Sequence, residues 1–315
     1  MKILVTGATG FIGRQLIKSL VDAGHSTSIL TRRGVHQDLD DLKRTLRVNH
    51  VFDWDPTARP SRIPGIENTD AIIHLAGEPV IGLWTSRKRV SISESRILGT
   101  NHLIETLEAS NTAPQVFISA SAVGYYGDRG QETLTEESSK GFGYLTDVCE
   151  GWEQAARGAE RLGARVTTLR LGLVFGSTGG SLVPLIKVTN LGLGGALGSG
   201  AQWWPWIHID DVLNCIGHLL NEPFEGPLNL VSREPLQQRE LMARLGKIMG
   251  RPSFMPVPRF ILTSLLGEMA TEFLNSRRVT SVRMEKANYD LQFPFFNEAI
   301  YDILQKKPSS PIAVS

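Results

Sequence analysis

The sequence predicts an α/β protein: a doubly wound, mostly parallel sheet followed by a smaller mixed α/β C-terminal lobe. Three observations predict it. Strand-like runs (KILVT, STSILTR, AIIHLA, QVFISAS, VTTLRLGLVF) alternate with amphipathic helical runs such as RQLIKSLVDAG, SRILGTNHLIETLEAS and CEGWEQAARGAERLG, which is the order of βαβ units. The strands are continuous apolar runs, as a sheet covered on both faces requires. After about residue 176 the texture changes to the Gly-rich STGGSLVPLIKVTNLGLGGALGSG, then WWPWIHIDDV, then looser elements including RELMARLGKIMG and FILTSLLGEMATEFL. The expected division is a first domain over 1–176 to which 203–225 return, a smaller lobe from 177–202 and 226–304, and a frayed tail over 305–315.

Bulk properties narrow the function classes. The 33 basic and 32 acidic residues nearly cancel, so no nucleic-acid or membrane-surface partner is expected, and a small dissolved molecule is. Two cysteines, Cys149 and Cys215, cannot build a disulfide framework or a four-thiolate zinc site, which points to the cytoplasm. The opening MKILVTG reads as a buried strand rather than a leader, and no apolar run reaches bilayer length.

The turn VTGATGFIG carries the first chemical signal. Gly7, Gly10 and Gly13 sit where a first strand enters a first helix, spaced G-x-x-G-x-x-G. Glycine suits a backbone that must turn tightly and then approach a pyrophosphate at the positive end of a helix. Strand, Gly turn, helix and second strand follow within one βαβ unit, so a Rossmann-type dinucleotide site is expected. The second strand ends in Thr31, Arg32 and Arg33. A carboxylate there holds the ribose 2′-hydroxyl of NAD, whereas guanidinium groups bond a 2′-phosphate, so NADP(H) is the expected cofactor. The cofactor-binding set reads as Gly7, Thr9, Gly10, Phe11, Ile12 and Gly13, then Thr31, Arg32 and Arg33, then Leu75, Ala76, Gly77 and Glu78 after the fourth strand, with Arg96, Ser119 and Val174.

TGATGFIG, HLAG, SASAVGYYG, RLGLVFG and PWIHIDDV together resemble the extended short-chain dehydrogenase/reductase superfamily of nucleotide-sugar epimerases. HLAGEPV, SRILGT, VCEGWE, GLGG..LGSG, WWPWIHIDD and LLGEMA resemble one atypical branch of it, labelled epimerase family protein, SulA-like or giant-chloroplast-like, up to about residue 304. The superfamily's proton device is a Tyr with a Lys four residues on, completed by Ser and Asn. The resemblance places Leu145 and Cys149 at the Tyr and Lys positions, Ser121 (with Ser119 as the second choice) at the Ser, and Arg96 at the Asn. It also implies a homodimer through helices beginning near Ser93 and Tyr144.

The resemblance therefore implies an NADP(H)-binding oxidoreductase on an unidentified small carbonyl or alcohol, with Ser121 orienting the substrate oxygen in a Trp-lined cleft. A non-catalytic NADP(H)-sensing or division-related binding protein is the alternative, and a nucleotide-sugar epimerase the third. Tyr126 is a substitute phenol or a pocket wall. Cys149 is a reactive thiol or a small buried hydrophobe. Trp203, Trp204 and Trp206 wall a pocket or pack two lobes. The loop LGLGGALGSG, followed by Gln202, is a lid or an irregular connection. His208 and Asp210 read as structural, with Asp210 capping a helix; no third group joins them, and no metal is expected.

Overall fold

The computed structural model describes residues 1–32, 38–287 and 289–306. Its first domain contains β1 (Lys2–Thr6), α1 (Phe11–Asp22), β2 (Ser26–Thr31), α2 (Leu39–Leu46), β3 (His50–Asp53), β4 (Ala71–His74), α3 (Ser86–Ala109), β5 (Val116–Ala122), β6 (Thr133–Leu134), α4 (Tyr144–Arg157), β7 (Arg165–Leu171) and β8 (Leu173–Phe175). The remainder contains α5 (Leu182–Asn190), β9 (Trp203–Trp204), β10 (Trp206–His208), α6 (Ile209–Leu219), β11 (Gly226–Leu230), β12 (Leu236–Gln237), α7 (Gln238–Met249), α8 (Arg259–Leu266), α9 (Ala270–Leu274), β13 (Arg278–Val279), α10 (Val282–Lys286) and α11 (Phe296–Gln305).

Seven strands form the central sheet in the order β3-β2-β1-β4-β5-β7-β11, every pair parallel. The order reverses between β1 and β4, which opens the crevice where such sheets take ligands. One face packs on Leu16, Ile17 and Leu20 of α1, Leu42 of α2 and Ile216 of α6, and the other on Leu103, Ile104 and Leu107 of α3 and Ala156 of α4. Both faces are thus covered, as the continuous apolar strands anticipate. Among the described residues no helix is long and apolar enough to cross a membrane.

Three boundaries differ from the sequence expectation. β11 pairs with β7 from Gly226↔Thr167 to Leu230↔Leu171, so the returning segment runs past 225; its Gly-Pro start hides the strand pattern. α3 begins at Ser86, before Ser93, because Thr85 Oγ1 caps it by accepting from Lys88 N–H. β3 is a short edge strand whose half-exposed HVFD lacks an apolar run.

The Gly-rich segment is ordered by packing. It contains α5, and beyond it Met255 N–H donates to Gly194, Val257 N–H to Ala196 and Gly198 N–H to Val257. A Cβ at Gly195 would stand 2.1 Å from the Met255 carbonyl, so glycine there permits close backbone approach. The segment is a packed connection.

The smaller lobe is bound to the first domain through the 127–136 loop. β13 pairs with β6, and the Glu136 carboxylate accepts from Asn229 N–H, Ser281 Oγ and Val282 N–H at 3.1, 2.6 and 3.2 Å. Arg277 Nε donates to the Gly127 carbonyl at 2.9 Å. Trp206 stacks on Phe175 with ring centroids 5.7 Å apart and meets Phe296 edge-on. Trp204 and Trp206 therefore belong to the lobe core; Trp203 is half-buried and donates to Gln131.

Candidate cofactor and substrate site

The nucleotide turn is built by glycines with separate jobs. Gly7 has φ +70, a left-handed backbone that glycine adopts without strain; a Cβ there would meet the Leu75 carbonyl carbon at 2.6 Å. At Gly13 a Cβ would stand 2.2 Å from the Gly7 carbonyl oxygen, so α1 lies directly on the turn. Gly10 starts α1 with no side-chain cap and no acid in the first turn. The first-turn N–H groups and the helix dipole are therefore left for an anion. Thr9 and Ile12 are half-buried beside them, and the Thr9 carbonyl accepts from Arg14 Nε at 2.8 Å. The Phe11 ring turns toward the segment after β8: a Cβ at Gly179 or Gly180 would lie 2.5 or 2.7 Å from it, and one at Gly180 would also lie 2.3 Å from the carbonyl oxygen of the buried Val174.

At the end of β2, Thr31 is half-buried and Arg32 exposed. Arg33 lies outside the described residues. The Asp55 carboxyl is held below its ordinary range by hydrogen bonds from Thr57, with a smaller share from the Arg32 charge.

The end of β4 organises the other wall. His74 is fully buried, its Nδ1 2.7 Å from Thr6 Oγ1 and its Nε2 3.0 Å from Thr100 Oγ1, while the Thr100 hydroxyl donates to the Arg96 carbonyl. Burial lowers the imidazole pKa to about 3, helped by the Arg96 charge. A neutral ring thus ties β1, β4 and α3 together. Leu75 and Ala76 are half-buried and Gly77 exposed; Glu78 pairs with Lys88 at 2.6 Å and gives its carbonyl to Arg96 Nη1 at 2.9 Å.

Below the crevice lies a charged cluster that sequence reasoning missed. Arg170 of β7 donates from Nε and Nη2 to the two carboxylate oxygens of Glu153 on α4, each at 2.8 Å. Ser121 Oγ donates to Glu153 Oε1 at 2.7 Å, and Arg170 Nη1 to the Tyr126 hydroxyl at 2.9 Å. Tyr126 in turn donates to Asn229 Oδ1 at 2.7 Å. Burial pushes the Tyr126 phenol up to about 12 despite Arg170. A signal existed: an Arg within the apolar strand VTTLRLGLVF needs a buried partner. Ser119 is buried, with its hydroxyl on the Ala120 carbonyl.

Residues 3–231 match the NAD dependent epimerase/dehydratase family, and 257–303 match a domain of unknown function, DUF1731. The chain belongs to the NAD dependent epimerase/dehydratase family. It is 34% identical over 97% of its length, and 87% of the relative's, to the chloroplastic epimerase family protein SDR39U1 homolog of Arabidopsis thaliana. It is 32% identical to an epimerase family protein of Staphylococcus aureus, covering 96% of this chain and 99% of that one. Among solved structures it is similar to human epimerase family protein SDR39U1 (isoform 2) with NADPH, at TM-score 0.83 and 27% identity over 98% of this chain and 100% of that one. UDP-glucuronic acid 4-epimerase from Bacillus cereus shares the fold alone, at TM-score 0.72 and 19% identity over 96% of this chain and 99% of that one.

α4 carries Cys149 among its buried residues. Cys149 is buried and its thiol is pushed up to about 12, first by burial and then by Glu153. A Cβ at Gly124 would touch its sulfur at 3.5 Å. His208, not Asp210, caps α6: its Nδ1 accepts from Asp210 N–H at 3.0 Å. A third group does join them, since His208, Asp210 and Asp302 converge. Lys306 bridges the two carboxylates, 2.7 Å from Asp210 and 2.8 Å from Asp302, and the cluster fastens the end of α11 to α6.

Proposed function

We propose that the chain is an NADP(H)-binding atypical short-chain dehydrogenase-like oxidoreductase acting on a small carbonyl or alcohol. The observation that carries the cofactor reading is the pairing of an uncapped α1 N-terminus with Arg32 at the end of β2. The first suits a pyrophosphate and the second a 2′-phosphate. The human relative solved with NADPH supports the same reading. The residues present fit the group: Gly7, Gly10 and Gly13 bare the backbone, Thr31 and Arg32 would hold the adenosine ribose and its 2′-phosphate, and the loop from Leu75 to Glu78 would form the opposite wall. When bound, the nicotinamide supplies a hydride donor or acceptor. The polypeptide contributes placement and exclusion of water.

A second reading is favoured by a specific observation. Tyr126 and Cys149 are both held protonated near 12, and Ser121 is engaged by Glu153, so none offers a proton carrier near neutral pH. In that reading the chain binds NADP(H) as a sensor.

Calorimetric titration with NADPH and NADH on the wild type and on Arg32→Ala tests the cofactor reading. Selective NADPH binding that weakens by about tenfold or more in the variant supports it. Equal affinity for both nucleotides, unchanged in the variant, overturns it. A panel of carbonyl compounds then separates the two readings: NADPH oxidation above background identifies the oxidoreductase, and tight binding without turnover the sensor.

A further inference from the structure

Arg96 on α3 is a half-buried guanidinium with most of its hydrogen-bonding capacity unused. Nη1 donates to the carbonyls of Glu78 and Ile92 at 2.9 and 3.2 Å. Among the described residues Nε and Nη2 donate to nothing, and no carboxylate forms an ion pair with it. The guanidinium lies over the Trp152 ring at 5.0 Å. Trp152 is itself only 5% exposed and leaves its indole N–H without an acceptor.

The surroundings withhold a counter-charge. Burial lowers the Arg96 pKa, and the groups that oppose this are, in order, Cys149, Tyr144 and Glu78. The first two help only when ionised, and burial raises both, holding thiol and phenol neutral. The Glu78 carboxylate is shared with Lys88 at 2.6 Å. A cation taken out of water with no counter-charge beside it is costly.

Position identifies which anion. Gly7 of the nucleotide turn packs on Leu75 and Ala76, while Gly77, farther along the same loop, faces Arg96: a Cβ there would lie 3.2 Å from Nη2. Arg96 then continues to Trp152 and Cys149 of α4. The guanidinium thus lies between Gly77 of the loop and the Trp152 ring of α4, with Nε and Nη2 as its remaining donors.

We propose that Arg96 binds the carboxylate or phosphate group of an anionic substrate, in a subsite formed by Gly77, Arg96 and Trp152. The assignment rests on the cofactor reading above only for the place given to the nucleotide. A bidentate guanidinium contact with Trp152 beneath it orients such a group and selects anionic carbonyl compounds over neutral ones.

Trp152 provides the readout. The chain contains six tryptophans, so protein labelled with 5-fluorotryptophan gives a resolvable fluorine spectrum, in which Trp152→Phe identifies the Trp152 signal. Oxalate and inorganic phosphate are titrated separately into the apo and NADPH-loaded protein. Saturable movement of the Trp152 signal by at least one anion is expected in both states. In Arg96→Gln the apparent affinity falls at least about tenfold, and Arg96→Lys keeps part of it; melting curves verify that both variants are folded.

Absence of any shift at millimolar anion, or an identical shift in Arg96→Gln, overturns the proposal. Abolition of the shift by NADPH also overturns it and assigns Arg96 to a cofactor phosphate. NADPH binding is followed by calorimetry on the same preparation, so its failure removes the cofactor reading independently of the anion result.

Discussion

Glu153 and Arg170 face each other as a bidentate pair whose side chains are 2% and 3% exposed. Burial pulls the guanidinium pKa down, but the hydrogen bonds and charge of Glu153 more than offset it and raise it overall. Removing one partner strands the other charge. Glu153→Ala is expected to cost about 3–5 kcal/mol of stability, and the double variant Glu153→Leu/Arg170→Met less than either single change. Urea denaturation of the three variants checks this; additive losses would refute the coupling.

The neutral His74 predicts a pH dependence of stability. Its folded pKa of about 3 lies below the ordinary imidazole value of 6.5, so between those values the unfolded chain binds the extra proton. The stability contributed is complete above the unfolded pKa and is lost as pH falls from 6.5 toward 3. Comparing wild type with His74→Asn from pH 4 to 6 is expected to remove about 1.4 kcal/mol per pH unit of the slope. Parallel stability–pH curves would show that the ring is protonated in the native state.

Cys149 and Cys215 are both buried, and burial lifts each thiol to about 12. Neither should react with a disulfide reagent at pH 8 until the protein unfolds. Rapid native-state modification of Cys149, abolished in Cys149→Ser, would restore the reactive-thiol reading.

Gly13→Ala forces a Cβ to within 2.2 Å of the Gly7 carbonyl oxygen, which α1 can relieve only by backing away from the turn. A loss of about 1–3 kcal/mol in stability is expected, together with NADPH binding reduced beyond what the stability loss alone explains. Calorimetry on the folded fraction separates the two; unchanged affinity would mean that the first turn of α1 does not approach the nucleotide.

Much of the fold was legible because the strands and helices of the first domain carry their own periodicity and turn chemistry. KILVT, the Gly turn and RQLIKSLVDAG became β1, the turn and α1 in that order. β11 was hidden by Gly226 and Pro227, and β3 by its exposed edge. The site was legible where backbone geometry demands glycine, at Gly7 and Gly13. It was not legible where a role depends on groups far apart in the chain. Ser121 takes its partner from Glu153, 32 residues away, and Tyr126 from Asn229, 103 residues away. The even choice left for the tryptophans was decided by Phe175 and Phe296, which no local pattern links to Trp206.

The bonds from Ser281 and Val282 to Glu136 span 145 and 146 residues, and β13 completes β6 over the same gap. On a ribosome adding about 5–20 residues per second, Glu136 waits roughly 7–30 s after its own synthesis before Ser281 and Val282 exist. Until then the Glu136 carboxylate has at most the Asn229 N–H to accept from, in a loop that the finished protein buries. The boundary between the two matched families is thus a poor place to cut: a product ending near residue 231 would lack the Ser281 and Val282 donors of Glu136 and the partner of β6, while its complement would carry an orphan strand.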